Sequence, residues 1–211
     1  MSYRIDELFE RYPELESVKG AILSGFNIIK QAFADNGTLY ACGNGGSAAD
    51  AEHMVGELMK GFLLPRKVSP ELYSSLKSEY GDDGVALADN LQEGLRAISL
   101  NGHPSLATAF GNDVDFEMIF AQQLYVLGRR GDVLIGFSTS GNSVNILKAF
   151  KIARVLGIKT IAMTGEGGGA CRAVVDCCIN VPEVETYKVQ ELHLPVYHAL
   201  CAMLEDEFYG R

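Results

Sequence analysis

The sequence predicts an α/β fold: a five-stranded parallel sheet between two layers of helices, a three-layer αβα sandwich, with a helical segment before the first strand. Three observations carry that expectation. Short apolar runs alternate with longer stretches of helical periodicity from Thr38 onward. The run from Asp132 to Phe137 is apolar after its first residue, as strands buried on both faces are. The glycine- and serine-rich turns follow strands, where such sheets collect their ligands.

Taken in order, the chain opens with helix from about Ile5 to Ala34, divided at Pro13 into a shorter and a longer piece. Asn36-Gly37 ends it. Strand one is Thr38 to Cys42. A glycine turn follows, and Ser47 is the expected cap of a helix running to about Lys60. An insert spans about 63–94. Within it Ser69 and Pro70 start a helix that reaches Tyr80 and stops at Gly81-Asp82-Asp83-Gly84. Its loops are long for an α/β unit, which suits a lid or an interface as well as it suits surface decoration. Strand two is Leu95 to Leu100. Helices at Pro104 to Phe110 and Phe116 to Leu127 are separated by Gly111-Asn112-Asp113. Strand three is Asp132 to Phe137, and the helix after it, Ser143 to Leu156, ends at Gly157. Strand four is Thr160 to Thr164. After the glycine-rich stretch from Gly165 to Gly169 come a short helix and strand five, Cys177 to Val181. A last helix runs from about Tyr187 to Phe208, and Pro195 should kink it. All of this reads as a single domain over residues 1–211.

Composition narrows the function classes. The formal net charge of -9 argues against a nucleic-acid surface, which needs clustered Lys and Arg. No apolar run is long enough to span a bilayer, and the first residues lack the apolar core of a signal peptide. A cytoplasmic protein is expected, without nucleic-acid or membrane partners. The five cysteines are an odd number, each in an apolar run, and read as buried small hydrophobes. Cys177 and Cys178 should point to opposite faces of their strand.

Chemistry concentrates in the turns and the last helix. In Cys42-Gly43-Asn44-Gly45-Gly46-Ser47, glycines let the backbone approach a ligand, and the free N–H groups of the following helix favour an anion. His53 and Glu57, spaced i,i+4, share a face of that helix. On this stretch alone, a phosphate cradle and a plain connection with a solvated His and Glu are equally good readings. The turn Ser138-Thr139-Ser140-Gly141-Asn142-Ser143 strengthens the first: four hydroxyls precede a helix start, with Ser143 as cap. It lacks the Lys of a Walker loop, so a small phosphate is expected, not a nucleoside triphosphate. On the last helix, Gln190 and His198 fall within about 80° of each other. His193 lies nearer the Gln190 side and stays a candidate. His198 alone reads as a core histidine.

Together and in this order, the two turns, the His53/Glu57 pair and Gln190-Glu191-Leu192-His193 with His198 resemble the sugar isomerase (SIS) domain family. Within it they are most similar to the sedoheptulose-7-phosphate isomerases. The resemblance covers nearly the whole chain apart from the insert. It implies a flavodoxin-like SIS fold and conversion of sedoheptulose 7-phosphate to D-glycero-D-manno-heptose 7-phosphate, a step that feeds lipopolysaccharide synthesis. By position it implies Glu57 and His198 as the acid/base pair. Ser47, Ser138, Thr139, Ser140 and Ser143 match phosphate-binding positions, beside Gly45 and Gly46. Asn44 and Asp113 match substrate contacts, as does Gln190. His53, Glu57, Gln190 and His198 match positions that bind Zn2+ in some members. It also implies a homotetramer with sites at subunit interfaces. Other SIS proteins only sense phosphosugars or bind a replication initiator, but those tend to lose the acid/base residues that this chain keeps. An isomerase for a different phosphosugar is the further alternative. The chain departs from the family in two places. Met59-Lys60-Gly61-Phe62 has Lys60 where an Arg is common, and Tyr187-Lys188 replaces an Asp-Arg pair.

Overall fold

The computed structural model describes residues 3–210. Strands β1 (Leu39–Gly43), β2 (Ala97–Ser99), β3 (Val133–Phe137), β4 (Lys159–Thr164) and β5 (Cys177–Asn180) form one sheet in the order β2-β1-β3-β4-β5. Every pairing is parallel. This is the expected five-stranded parallel sheet, with a flavodoxin-like strand order. The order reverses between β1 and β3, so the loops after those two strands diverge to opposite faces and leave a crevice at their ends.

The helices are α1 (Tyr3–Arg11), α2 (Lys19–Ala34), α3 (Gly46–Met59), α4 (Pro70–Asn90), α5 (Pro104–Phe110), α6 (Ile119–Leu127), α7 (Val144–Leu156) and α8 (Thr186–Tyr209). Helices α1, α2, α3 and α8 cover one sheet face; α5, α6 and α7 cover the other. The two cores follow the strand alternation. Leu39, Ala41, Ile135 and Ile161 join Ile22, Ile29, Met54 and Leu200. Tyr40, Cys42, Leu134 and Ala162 join Phe120, Ile146 and Phe150. Because both faces are covered, the central strands β1 and β3 are buried at every position, and each fully buried Leu or Ile contributes about 1.5–3 kcal/mol. Cys177 packs in the first core and Cys178 against the second, on opposite faces as expected. The thiols of all five cysteines are free. Among the described residues no helix is long and apolar enough to cross a membrane.

Several local expectations need correction. Pro13 divides the opening helix into a short and a long piece as expected, and does so through a 3-10 turn, Pro13–Val18, between α1 and α2. Ser47 does not cap α3: the cap position is Gly45, whose φ of 57° turns the chain two residues earlier than a cap at Ser47 would. Ser143 does hold the cap position of α7, but its hydroxyl makes no capping bond. Gly111–Asp115 is a π-helical turn, so α5 continues into it instead of stopping. Strand two is reduced to Ala97–Ser99. The last helix begins at Thr186 and ends at Tyr209, one residue beyond the expected bounds at each end, with Pro195 inside it.

The insert is a helical hairpin. Its backbone leaves the helical region at Gly81 (φ 57°, ψ -127°), and the helix then resumes to Asn90, beyond the expected stop. A Cβ at Gly84 would lie 1.9 Å from the carbonyl oxygen of Leu76, so only glycine lets the two halves meet. At the base of the hairpin Lys67 bridges Gln92 in antiparallel fashion, and the Glu93 N–H donates to the Arg66 carbonyl at 3.0 Å.

Candidate active site

The crevice at β1 and β3 is built from backbone upward. After β1 the chain turns so tightly that a Cβ on Gly43 would meet the Ser47 carbonyl oxygen at 2.1 Å. Asn101 locks the strand end: its Oδ1 accepts from the Gly43 N–H (3.1 Å) and its Nδ2 donates to the Gly43 carbonyl (2.8 Å). Asn44 is tied across to Asn145 on α7 by reciprocal amide bonds, both 2.9 Å. The two ligand-type turns are thereby one rigid unit. Gln190 of α8 lies directly over Gly46, where a Cβ would come within 2.6 Å of its Nε2. That places the start of α8 against the start of α3.

The serine turn faces the same crevice. The Ser138 and Ser143 hydroxyls are 2.9 Å apart, and Ser138 is buried. Ser140 Oγ accepts from the Asn142 N–H at 3.1 Å, and the Thr139 carbonyl accepts from the Gly165 N–H at 2.9 Å. Gly141 takes φ 66° and packs against the Gly168 carbonyl, which holds the turn against the glycine-rich loop after β4. With the N-termini of α3 and α7 both opening here, the arrangement offers hydroxyls and free N–H groups to an anion. Ser47 is buried within the first turn of α3.

The titratable groups stand further along α3 and α8. His53 Nε2 is 3.2 Å from Glu57 Oε1 and 3.4 Å from His198 Nε2. Lys60 pairs with the other oxygen of Glu57. Burial pushes the Glu57 carboxyl upward, but its hydrogen bond to Lys60 and the charges of Lys60 and His53 outweigh this and hold it below the usual value. Burial, then the neighbouring His53, lowers His198, with Glu57 opposing. The site therefore presents an ionised carboxylate and a neutral imidazole at neutral pH. Phe62 packs on His198, ring centroids 5.5 Å apart. Behind them lies a wholly buried ion pair. Glu205 accepts from the N–H groups of Phe62, Leu63 and Leu64 and from Arg66 Nε, and Arg66 Nη1 donates to the Leu58 carbonyl. It fastens the chain after α3 to α8, the two elements that carry Glu57 and His198.

The structure thus brings together His53, Glu57 and His198, and separately Asn44, Gly46, Ser138, Ser143 and Gln190. His193 is a core residue: fully buried, its Nε2 is 3.3 Å from the Thr164 carbonyl, and burial lowers its pKa to about 4. Asp113 is exposed on the π turn, where it accepts from Asn112 Nδ2. Sequence reasoning missed Asn101, Asn145, Asp50 and Tyr197. The last two adjoin His53: the Tyr197 hydroxyl is 3.1 Å from His53 Nδ1 and 3.4 Å from Asp50 Oδ1. Asp50 could have been found as the i,i+3 partner of His53; Tyr197 had no signal beyond preceding His198. Among the described residues no group of three or more His, Cys, Asp or Glu side chains is arranged as a metal site; the contacts at His53 are pairwise.

Known proteins resemble this chain along most of its length. The family pattern of the SIS domain matches residues 5–92 and 83–165. The phosphoheptose isomerase of Akkermansia muciniphila is 36% identical over 201 residues, 95% of this chain and 93% of that protein. That of Rhodospirillum rubrum is 39% identical over 186 residues, 88% of this chain and 85% of its own. The solved structure of phosphoheptose isomerase from Neisseria gonorrhoeae superposes with a TM-score of 0.75 at 32% identity, covering 95% of this chain and 94% of that one.

Proposed function

Because this chain belongs to the SIS domain family, we propose that its crevice is the active site of a phosphosugar aldose–ketose isomerase of the phosphoheptose isomerase type. The substrate is sedoheptulose 7-phosphate and the product D-glycero-D-manno-heptose 7-phosphate, the sugar step implied by the names of the relatives. The observation that carries the reading is the pairing of an anion-ready double turn with a carboxylate–imidazole cluster on helices fastened to each other.

The roles follow from charge and position. The sugar phosphate binds at Ser47, Ser138, Thr139, Ser140 and Ser143, with Asn44, Asp113 and Gln190 on the sugar. Anchoring the remote end fixes the reacting carbons in register. Glu57, ionised and held by Lys60, takes the proton from carbon 1. His198 supplies a proton to the carbonyl oxygen on carbon 2, giving the enediol. Glu57 returns its proton to carbon 2, and the hydroxyl proton on carbon 1 passes to His198, which restores both residues and leaves the aldehyde.

The donor chemistry also suits a zinc ion. Two imidazoles and a carboxylate are donors of the kind zinc takes, and His53 lies 3.2 Å from Glu57 and 3.4 Å from His198, although the three are not arranged as a ready metal site. His53, Glu57 and His198, joined by Gln190, would hold it, and it would polarise the carbonyl. Assembly as a homotetramer is supported by apolar side chains left exposed on α4, among them Leu72, Tyr80 and Leu87. A cytoplasmic setting agrees with five free thiols.

The test incubates purified protein with sedoheptulose 7-phosphate in deuterated water. NMR should show heptose 7-phosphate with deuterium next to the carbonyl; neither product nor exchange sinks the reading. Glu57→Gln should abolish turnover while circular dichroism stays unchanged, and retained turnover removes Glu57 as base.

A further inference from the structure

We propose that Asp50 and Tyr197 are positioning residues that hold His53 with its proton on Nδ1, leaving Nε2 as the open nitrogen facing Glu57 and His198. The link to turnover rests on the isomerase reading; the hydrogen-bond argument does not. A carboxylate is acceptor-only, and a tyrosine hydroxyl has one proton. The Tyr197 oxygen lies between Asp50 Oδ1 at 3.4 Å and His53 Nδ1 at 3.1 Å. The first contact is at the long end of hydrogen bonding, yet Asp50 has little else, since its Oδ2 is buried without a partner. If Tyr197 turned its proton to His53, neither Asp50 oxygen would have a donor, although Oδ2 is buried; Glu57, which the opposite tautomer would serve through Oε1 at 3.2 Å, is already paired with Lys60 through Oε2. The hydroxyl proton therefore goes to Asp50, and the Tyr197 oxygen accepts from His53 Nδ1.

The Tyr197 ring is fixed for this task. It is fully buried and packs edge-on against His53, His198 and Phe137, with centroids 5.6, 5.0 and 5.9 Å away. The consequence is chemical. With the opposite tautomer, an Nε2–H would donate to Glu57 Oε1 and blunt it as a base. With the proton on Nδ1, Nε2 keeps its lone pair, the form that can ligate a cation or accept from His198 Nε2 at 3.4 Å, and Glu57 Oε1 takes no proton from His53 while Oε2 stays paired with Lys60.

Two variants separate the outcomes. In Asp50→Asn the amide can donate to the Tyr197 oxygen, so the hydroxyl proton turns to His53 Nδ1 and the ring proton moves to Nε2. Tyr197→Phe removes the acceptor and keeps the ring. Nitrogen-15 spectra of the chelator-treated protein, at a pH where the ring is neutral, should show His53 protonated on Nδ1 in the unmodified protein and on Nε2 in Asp50→Asn. Titration with zinc alone should show affinity falling about 10–100-fold in both variants, and kcat should fall more than KM changes. His53 found protonated on Nε2 in the unmodified protein overturns the proposal. So does an unchanged tautomer in both variants. Should the protein neither turn over sedoheptulose 7-phosphate nor bind zinc, spectra showing the Nδ1 proton still sustain it, and the functional reading alone fails.

Discussion

Lys60 is the residue on which the reactivity of Glu57 turns. Burial alone would raise the Glu57 carboxyl; the ammonium beside it reverses the sign. Lys60→Met should therefore move the acid limb of kcat/KM to higher pH, while Lys60→Arg restores it. A pH–rate profile that does not shift would show that Lys60 is a bystander. His193 makes a different statement at the same scale. Its folded pKa is about 4 against an ordinary 6.5. The folded state thus binds its proton less readily than the unfolded state. The stability tied to the neutral ring is fully present above pH 6.5 and is lost as pH falls from there through about 4. The shift is worth about 3 kcal/mol. Urea denaturation between pH 8 and pH 4 should show that loss, and His193→Gln should flatten it. The sequence left His193 open because its helical position lies near Gln190; only its burial beneath β4 assigns it to the core.

At the level of elements, the site is a contact between the starts of α3 and α8 and between their later turns. Gly46 is the close point of the first contact. A methyl there meets the movable end of Gln190, not backbone. Gly46→Ala should therefore displace Gln190, raise KM at least several-fold and cost little stability. An unchanged KM with thermal unfolding intact would remove Gln190 from the substrate contacts. The Glu205–Arg66 pair fixes the second contact. Glu205 lies seven residues after His198, two helical turns further along nearly the same face of α8. The hydrophobic pattern predicted both helices within a residue or two, but it could not show that they touch. Helix periodicity reports which face is buried, not what covers it.

For the whole molecule, the insert is the open question that the body of the fold frames. Its two strands of chain leave and return side by side, joined at Lys67–Gln92 and Arg66–Glu93. The hairpin can therefore be excised there without opening either core. Replacing residues 68–91 by a two-residue turn should leave the domain folded and shift sedimentation to a smaller assembly, with lower turnover if subunits share sites. Unchanged mass and kinetics would make the hairpin decoration. The sequence expectation of a helix ending at Tyr80 reached only half of this element. Gly81 reads as a stop in sequence, whereas in the fold its positive φ makes a corner between two helices.

The sequence by itself determined the layers of this protein. Alternation of apolar runs with helical periods requires a parallel sheet covered on both faces, and the glycine and serine turns had to lie at strand ends because only there can backbone N–H groups stay free for a ligand. Resemblance in those same turns pointed to the SIS family. The tertiary structure decided what meets what. It joined Asn44 to Asn145, closed His53 onto both Glu57 and His198, set Tyr197 between Asp50 and His53, and sank His193 into the core. The physical reason is that local patterning encodes burial and backbone conformation, which are properties of neighbouring residues. Proton sharing among His53, Tyr197 and His198 depends on groups more than a hundred residues apart, brought together only when the core forms.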